Sequence, residues 1–169
     1  MVKKILIVSD SHGKSKNVKQ AIGKEKPNML IHLGDIEDDP SDVRACLDKD
    51  SLHPAVFIQG NCDRYRSGGN GDELKKVSVF KLNGHGFYCT HGHREGVNYG
   101  FENLYYSARE NECDIVLFGH THMPFDEDFD GVRVMNPGSI SLPRGGNRKS
   151  YMVMTFEEDG SYEVELKYL

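Results

Sequence analysis

The chain has 169 residues, 28% of them charged and 37% hydrophobic, a balance that suits one globular domain over residues 1–169 and excludes a disordered chain or a fibre. Its 21 Lys and Arg against 26 Asp and Glu give a formal net charge of -5, which argues against a stable nucleic-acid partner and leaves room only for a local basic pocket. No apolar run approaches the roughly 20 residues that cross a bilayer, so no membrane role is expected, and four cysteines without a C-x-x-C pair read as reduced thiols of a cytoplasmic protein.

Residues 4–9 form a β-branched apolar run that ends in Asp10-Ser11-His12-Gly13. Although Lys3-Lys4 precede it, the run is shorter than the roughly 7–15 residues of a signal-peptide core and reads as a first buried strand. Val18, Ala21 and Ile22 then recur at helical spacing, which predicts a helix over 15–24. A second apolar run, 29–33, ends in Gly34-Asp35. Pro40-Ser41 starts a second helix with Val43, Cys46 and Leu47 on one face. A third run, 55–58, ends in Gly60-Asn61-Cys62-Asp63. Strand alternating with helix implies parallel β-α-β units.

Residues 64–72 carry Gly68, Gly69, Asn70 and Gly71 and read as a flexible loop. Asn83-Gly84, Asp130-Gly131 and Asp159-Gly160 each separate strand-like runs and predict hairpins. Between the first two lies a helix over 98–110 with Phe101, Leu104, Tyr105 and Ala108 on one stripe. A further buried strand, 114–118, ends in Gly119-His120-Thr121-His122. The fold class is α/β, with parallel strands in the first half and hairpins in the second.

Five of the eight histidines, His12, His91, His93, His120 and His122, fall just past a strand end beside Gly or Asp. In open α/β sheets, the crevice at the carboxyl ends of the strands is where ligands bind. Asp10 and His12, Asp35, Asn61, His91 and His93, and His120 and His122 are all delivered to such ends. On extended backbone, residues i and i+2 point to the same side, so each pair is expected to present its two side chains together. Nitrogen and oxygen donors without thiolate suit a metal site, and their number suits two ions sharing a carboxylate, for which Asp35 is the natural bridge.

Asp10-Ser11-His12, Gly34-Asp35, Gly60-Asn61, His91-Gly92-His93 and Gly119-His120-Thr121-His122 resemble, in order and spacing, the calcineurin-like metallophosphoesterases. Asn136-Pro137-Gly138-Ser139 resembles their small phosphodiesterase branch in particular. The resemblance implies a four-layer α/β/β/α sandwich and two divalent metal ions, Mn2+ most often, with Ni2+, Fe2+, Zn2+ or Co2+ as substitutes. It implies that Asp10, His12 and His122 hold the first ion, that Asn61, His91 and His120 hold the second, and that Asp35 bridges them. Two such ions, two carboxylates and a hydroxide leave about one net positive charge, which draws a phosphate ester to an acidic protein.

The function expected is hydrolysis of small or nucleotide-like phosphodiesters by in-line attack of a metal-bridging hydroxide, with Asp35, Asn61 and His93 as the catalytic set. His93 would stabilise the developing oxyanion or support a ligand from behind. Many members of the superfamily carry a His after the Asn; here Cys62 stands in its place, as a weak acid, a redox-sensitive thiol or packing, and esters with good leaving groups should be favoured. A phosphomonoesterase acting on phosphoproteins and a non-catalytic binding scaffold are the alternatives. His32 reads as a hydrogen-bonded core residue, and His53 and His85 as surface. Asp63 is expected to orient a neighbour. Residues 136–139 read either as a turn supporting the metal loops or as a phosphate contact. Arg64, Arg66, Arg144, Arg148 and Lys149 read as solvated or as phosphate-reaching side chains. Exposed hairpin edges leave a homo-oligomer open.

Overall fold

In the computed structural model, residues 2–47, 55–63 and 74–169 are described. The loop expected at 64–72, and with it Arg64, Arg66 and His53, lies outside them. The elements are β1 (Lys4–Val8), α1 (Ser15–Glu25), β2 (Met29–His32), α2 (Pro40–Arg44), β3 (Ala55–Phe57), β4 (Val77–Leu82), β5 (His85–Thr90), α3 (Glu102–Glu110), β6 (Ile115–Leu117), β7 (Pro124–Phe129), β8 (Val132–Pro137), β9 (Ser150–Phe156) and β10 (Tyr162–Tyr168). Among the described residues, no helix is long and apolar enough to cross a membrane.

Two five-stranded mixed sheets run β10-β9-β1-β2-β3 and β4-β5-β6-β8-β7. Strand alternation sorts each strand between two layers. Ile5 and Ile7 of β1, Met29 and Ile31 of β2, Phe87 and Cys89 of β5, and Ile115 and Leu117 of β6 meet in one core between the sheets. Their outward neighbours Leu6, Val8 and Leu30 pack under Val18, Ala21 and Ile22 of α1. Tyr88, Val116 and Val134 pack under Leu104 and Ala108 of α3. The result is the expected four-layer α/β/β/α sandwich. Each fully buried Ile or Leu contributes roughly 1.5–3 kcal/mol, so the double-sided burial of β1 and β2 makes them the centre of the first half of the sandwich.

Helix boundaries follow local chemistry. Asp39 caps α2 by accepting a hydrogen bond from Ser41 N at 2.9 Å, with Pro40 at the first helical position. α2 stops at Arg44, and Cys46 is exposed while Val43 and Leu47 are buried, so the three do not share one apolar face. α3 begins at Glu102 rather than at 98, because Gly100 holds positive φ and breaks the first expected turn. That shift releases Asn98 from the helix. The three Asn-Gly and Asp-Gly hairpins form as expected, and the last joins the first sheet, β9 pairing antiparallel with β1.

Candidate metal centre

Five strand ends from both sheets meet at one edge of the sandwich. Past β1 and β2 the backbones stay zipped: Asp10 N donates to Gly34 O, His12 N to Asp35 O and Gly13 N to Ile36 O. Past β5 and β6, Gly119 N donates to His91 O. The pairs are not presented by extended backbone. Asp10, His12, Asp35, His120 and His122 hold φ of 56°, 45°, 52°, 69° and 61°, a left-handed conformation that costs non-glycine residues on the order of 1 kcal/mol each. Each such residue turns the chain back and aims its side chain across the edge. Gly60 and Gly119 permit the approach, since a Cβ on the first would strike Asp35 and on the second would strike Ser9 Oγ.

Asp10, His12, Asp35 and His122 offer ligand atoms that all lie within 4.8 Å of one another. His122 Nε2 is 3.1 Å from Asp10 Oδ1, and His12 Nε2 is 3.3 Å from His122 Nε2. Asp35 Oδ2 is 3.8 Å from His12 Nε2 and 3.5 Å from His91 Nε2, and Asn61 Oδ1 lies 3.2 Å beyond, on His91 Nε2. His120 donates its backbone N–H to Asp10 Oδ2 at 3.2 Å, and its ring stands 5.2 Å from that of His91, between centroids. The His93 ring is 5.3 Å from His91, and its Nδ1 is buried without a hydrogen-bond partner.

Acceptors behind the imidazoles fix their tautomers. His91 Nδ1 donates to Leu33 O at 2.7 Å, His122 Nδ1 to Leu142 O at 2.6 Å, and His12 Nδ1 to Glu37 Oε2 at 2.9 Å. Each Nε2 lone pair is thereby turned toward the centre. The 3.3 Å between the Nε2 atoms of His12 and His122 would accept a metal ion with two bonds of roughly 2.0–2.1 Å. Asp10 Oδ1 is buried with no hydrogen-bond partner. The donor set of imidazole, carboxylate and amide oxygens therefore fits a divalent metal.

Electrostatics agree. Burial raises the pKa of Asp10, but the facing imidazoles of His122 and His91 outweigh it and hold the carboxyl below its ordinary value. Asp35 is lowered in the same way, against its own burial, by His91 and by the Cys62 N–H that donates to its Oδ1 at 2.8 Å. Burial depresses His91 and His122, yet Asp35 and Asp10 beside the first, and Asp10 beside the second, leave both above the ordinary histidine value. Partial burial and the Asp35 carboxylate push the Cys62 thiol up to about 12.

Two contributors, Glu37 and Asn98, escaped the sequence reading, while Asp63 and residues 136–139 did not. Glu37 repeats the i, i+2 spacing after Asp35, a signal that was present. Asp63 does orient neighbours, accepting from Glu37 N and Gly60 N at 2.9 Å each. Asn98 meets His120 Nε2 at 3.2 Å and carried no signal, because it read as helix. Residues 136–139 act as scaffold: Asn136 donates to Gly119 O at 2.8 Å and Ser139 Oγ to Asp10 O at 2.8 Å.

Other expectations change or sharpen. His85 is not a surface residue: it is half-buried, bonded to Asp114 and to Gly160 O and packed edge-on against Tyr162. His32 is a core residue as expected, fully buried with Nε2 3.0 Å from Ser11 Oγ. Arg148 lies over the Tyr168 ring at 4.6 Å, whereas Arg144 donates its backbone N–H to His122 O at 3.2 Å.

The fold is that of the calcineurin-like phosphoesterases. The model of the calcineurin-like phosphoesterase superfamily domain matches residues 4–159, and the chain belongs to that family. It is 34% identical over 160 residues to the probable metallophosphoesterase YsnB of Bacillus subtilis, covering 93% of this chain and 86% of that one. It is 28% identical over 172 residues to the phosphodiesterase YfcE of Escherichia coli, covering 88% and 85%. A predicted phosphoesterase of known structure from Streptococcus pneumoniae superposes with a TM-score of 0.78 at 29% identity, covering 98% of this chain and 89% of the other.

Proposed function

We propose that this chain is a phosphodiesterase with a dinuclear metal centre that hydrolyses small or nucleotide-like phosphodiesters in line at phosphorus. The observation that carries the reading is the position of Asp35, whose Oδ2 faces His12 Nε2 at 3.8 Å and His91 Nε2 at 3.5 Å, so that one carboxylate serves two groups of ligands. Asp10, His12 and His122 form one group, and Asn61, His91 and His120 the other. Manganese is the ion expected, with nickel, iron, zinc or cobalt able to replace it. When bound, two divalent cations supply Lewis-acid activation of water and of the phosphoryl group.

The chain's residues do the rest. Asp10 and Asp35, held ionised, set the charge of the site and orient the ligand rings. His93 is pushed down to about 4 by burial and by the neighbouring His91, Arg94 and His120, so it is neutral at physiological pH and offers a hydrogen bond to a phosphoryl oxygen. Arg144 adds positive field at the same edge. Cys62, with its thiol near 12, is too weak an acid to assist departure, which favours substrates with good leaving groups. The name of the Escherichia coli relative supports the diester preference.

The test is a metal-stripped preparation reloaded with each divalent ion and assayed on bis(p-nitrophenyl) phosphate and p-nitrophenyl phosphate. Faster turnover of the diester is expected. Faster turnover of the monoester would replace this reading with a phosphomonoesterase, and no turnover with any ion would replace it with a binding scaffold.

A further inference from the structure

A cavity of about 500 Å3 opens beside the candidate metal centre, between the loop that precedes α3 and the loop that follows β6. Phe101, Phe118 and Phe125 line it, their ring centroids 4.3–6.1 Å apart, and Val97 and Met123 complete the apolar wall. Phe118 is fully buried at the base, while Met123 is 45% exposed at the rim.

Two features tie this space to the site. Thr121 lines it and stands in the chain between His120 and His122. Asn98 also lines it, and its amide meets His120 Nε2 at 3.2 Å. Asn147 reaches the opposite side from the turn that begins at Arg144, its Nδ2 donating to Arg144 O at 2.7 Å. A carboxamide carries a second N–H and a carbonyl oxygen, so Asn98 and Asn147 bring both donors and acceptors to an otherwise aromatic space. No charged side chain lines the cavity among the described residues.

We propose that this cavity is a specificity subsite that seats the planar heteroaromatic ring, a nucleobase, of a nucleoside carried on the substrate phosphate. This rests on the phosphodiesterase reading. The chemistry matches: aromatic and thioether walls take a π-face, neutral walls suit a neutral ring, and the amides read its polar edge. Its volume falls within the range of small-molecule sites. Among the described residues, the aromatic wall and the amides that border it meet the metal-site edge at His120.

Two measurements decide it. The first uses the zinc-loaded wild-type chain labelled with 13C at the methionine methyls, titrated with adenosine 5′-monophosphate and, separately, with ribose 5-phosphate; Met123→Leu assigns the signal. The Met123 methyl is expected to move with the first ligand and not with the second. The second measurement takes the ratio of kcat/KM for the p-nitrophenyl ester of thymidine 5′-phosphate to that for methyl p-nitrophenyl phosphate. A carboxylate placed in the apolar wall by Met123→Glu should lower that ratio about tenfold.

If methyl p-nitrophenyl phosphate is hydrolysed while the ratio and the methyl signal stay put, the subsite is refuted and the phosphodiesterase reading stands. If neither ester is hydrolysed with any divalent ion, that reading fails and takes the subsite with it. Because the spectroscopic comparison uses the wild-type chain, it decides the matter even where Met123→Glu fails to fold.

Discussion

Asp35 Oδ2 lies 3.5 Å from His91 Nε2, although the two residues follow strands of different sheets, β2 and β5. The pair joins the two halves of the sandwich at the edge where the chemistry is proposed. Asp35→Asn keeps the shape and removes the charge. It should lower kcat/KM by more than about 100-fold, beyond the usual effect of a group that merely supports a ligand, and reduce the metal bound per chain. Cys62→Ala should cost less than about tenfold, since a thiol near 12 does little acid catalysis. Elemental analysis with steady-state rates checks both, and equal losses would contradict the bridging role.

Glu37 holds His12 from behind, its Oε2 accepting from Nδ1 at 2.9 Å. Glu37→Gln removes the charge that makes the ring a better ligand. The expected result is a roughly 10–100-fold loss in metal affinity, read by competition with a chromogenic chelator, with little change in thermal stability of the metal-free protein. Unchanged affinity would mean that the contact is incidental.

Where local chemistry decides, the sequence was legible. Each of the strands β1, β2, β3, β5 and β6 ends at the polar motif that stopped its apolar run, and the Asn-Gly and Asp-Gly pairs turn hairpins. What it did not show depends on distant chain. Nothing near β9 announces that Met154 will pair with Ile5, and α3 gave up Asn98 because nearby Gly100 adopts positive φ. The convergence of Asp10, His12 and His122 was foreseen for the wrong reason: left-handed turns, not strand alternation, aim these side chains. The rule of i and i+2 is local, whereas those turns are held by hydrogen bonds between loops, such as Ile140 N to Ser9 O.

Metal loading should release protons. His91 and His122 sit above the ordinary histidine value in the metal-free protein because Asp10 and Asp35 outweigh their burial. Imidazole must be neutral to bind a metal, so apparent affinity should fall as pH drops, beginning above the ordinary histidine range because both groups are raised. Calorimetry at pH 6.5 in buffers of different ionisation enthalpy should report net proton release on zinc binding. Affinity that is flat from pH 5 to 8 would speak against histidine ligation.

His32 should make the metal-free fold acid-sensitive. It is fully buried, and that burial pushes its pKa down from 6.5 to about 4 despite the acidic groups nearby. The folded state therefore refuses a proton that the unfolded state accepts. Stability is complete above pH 6.5, falls as pH drops from 6.5 toward 4, and loses no more from this group below that. A shift of this size corresponds to on the order of 3 kcal/mol across the window. His93 and His120, also lowered, act in the same direction and His91 and His122, which are raised, in the opposite one, so His32→Gln should flatten the slope by its own share alone. Urea denaturation midpoints of wild type and variant, measured from pH 7 to 4, check this. Parallel curves would place the acid sensitivity elsewhere, since a neutral His32 accepts from Gly34 N at 3.3 Å on Nδ1 and meets Ser11 Oγ at 3.0 Å on Nε2, an arrangement that protonation of Nδ1 would break.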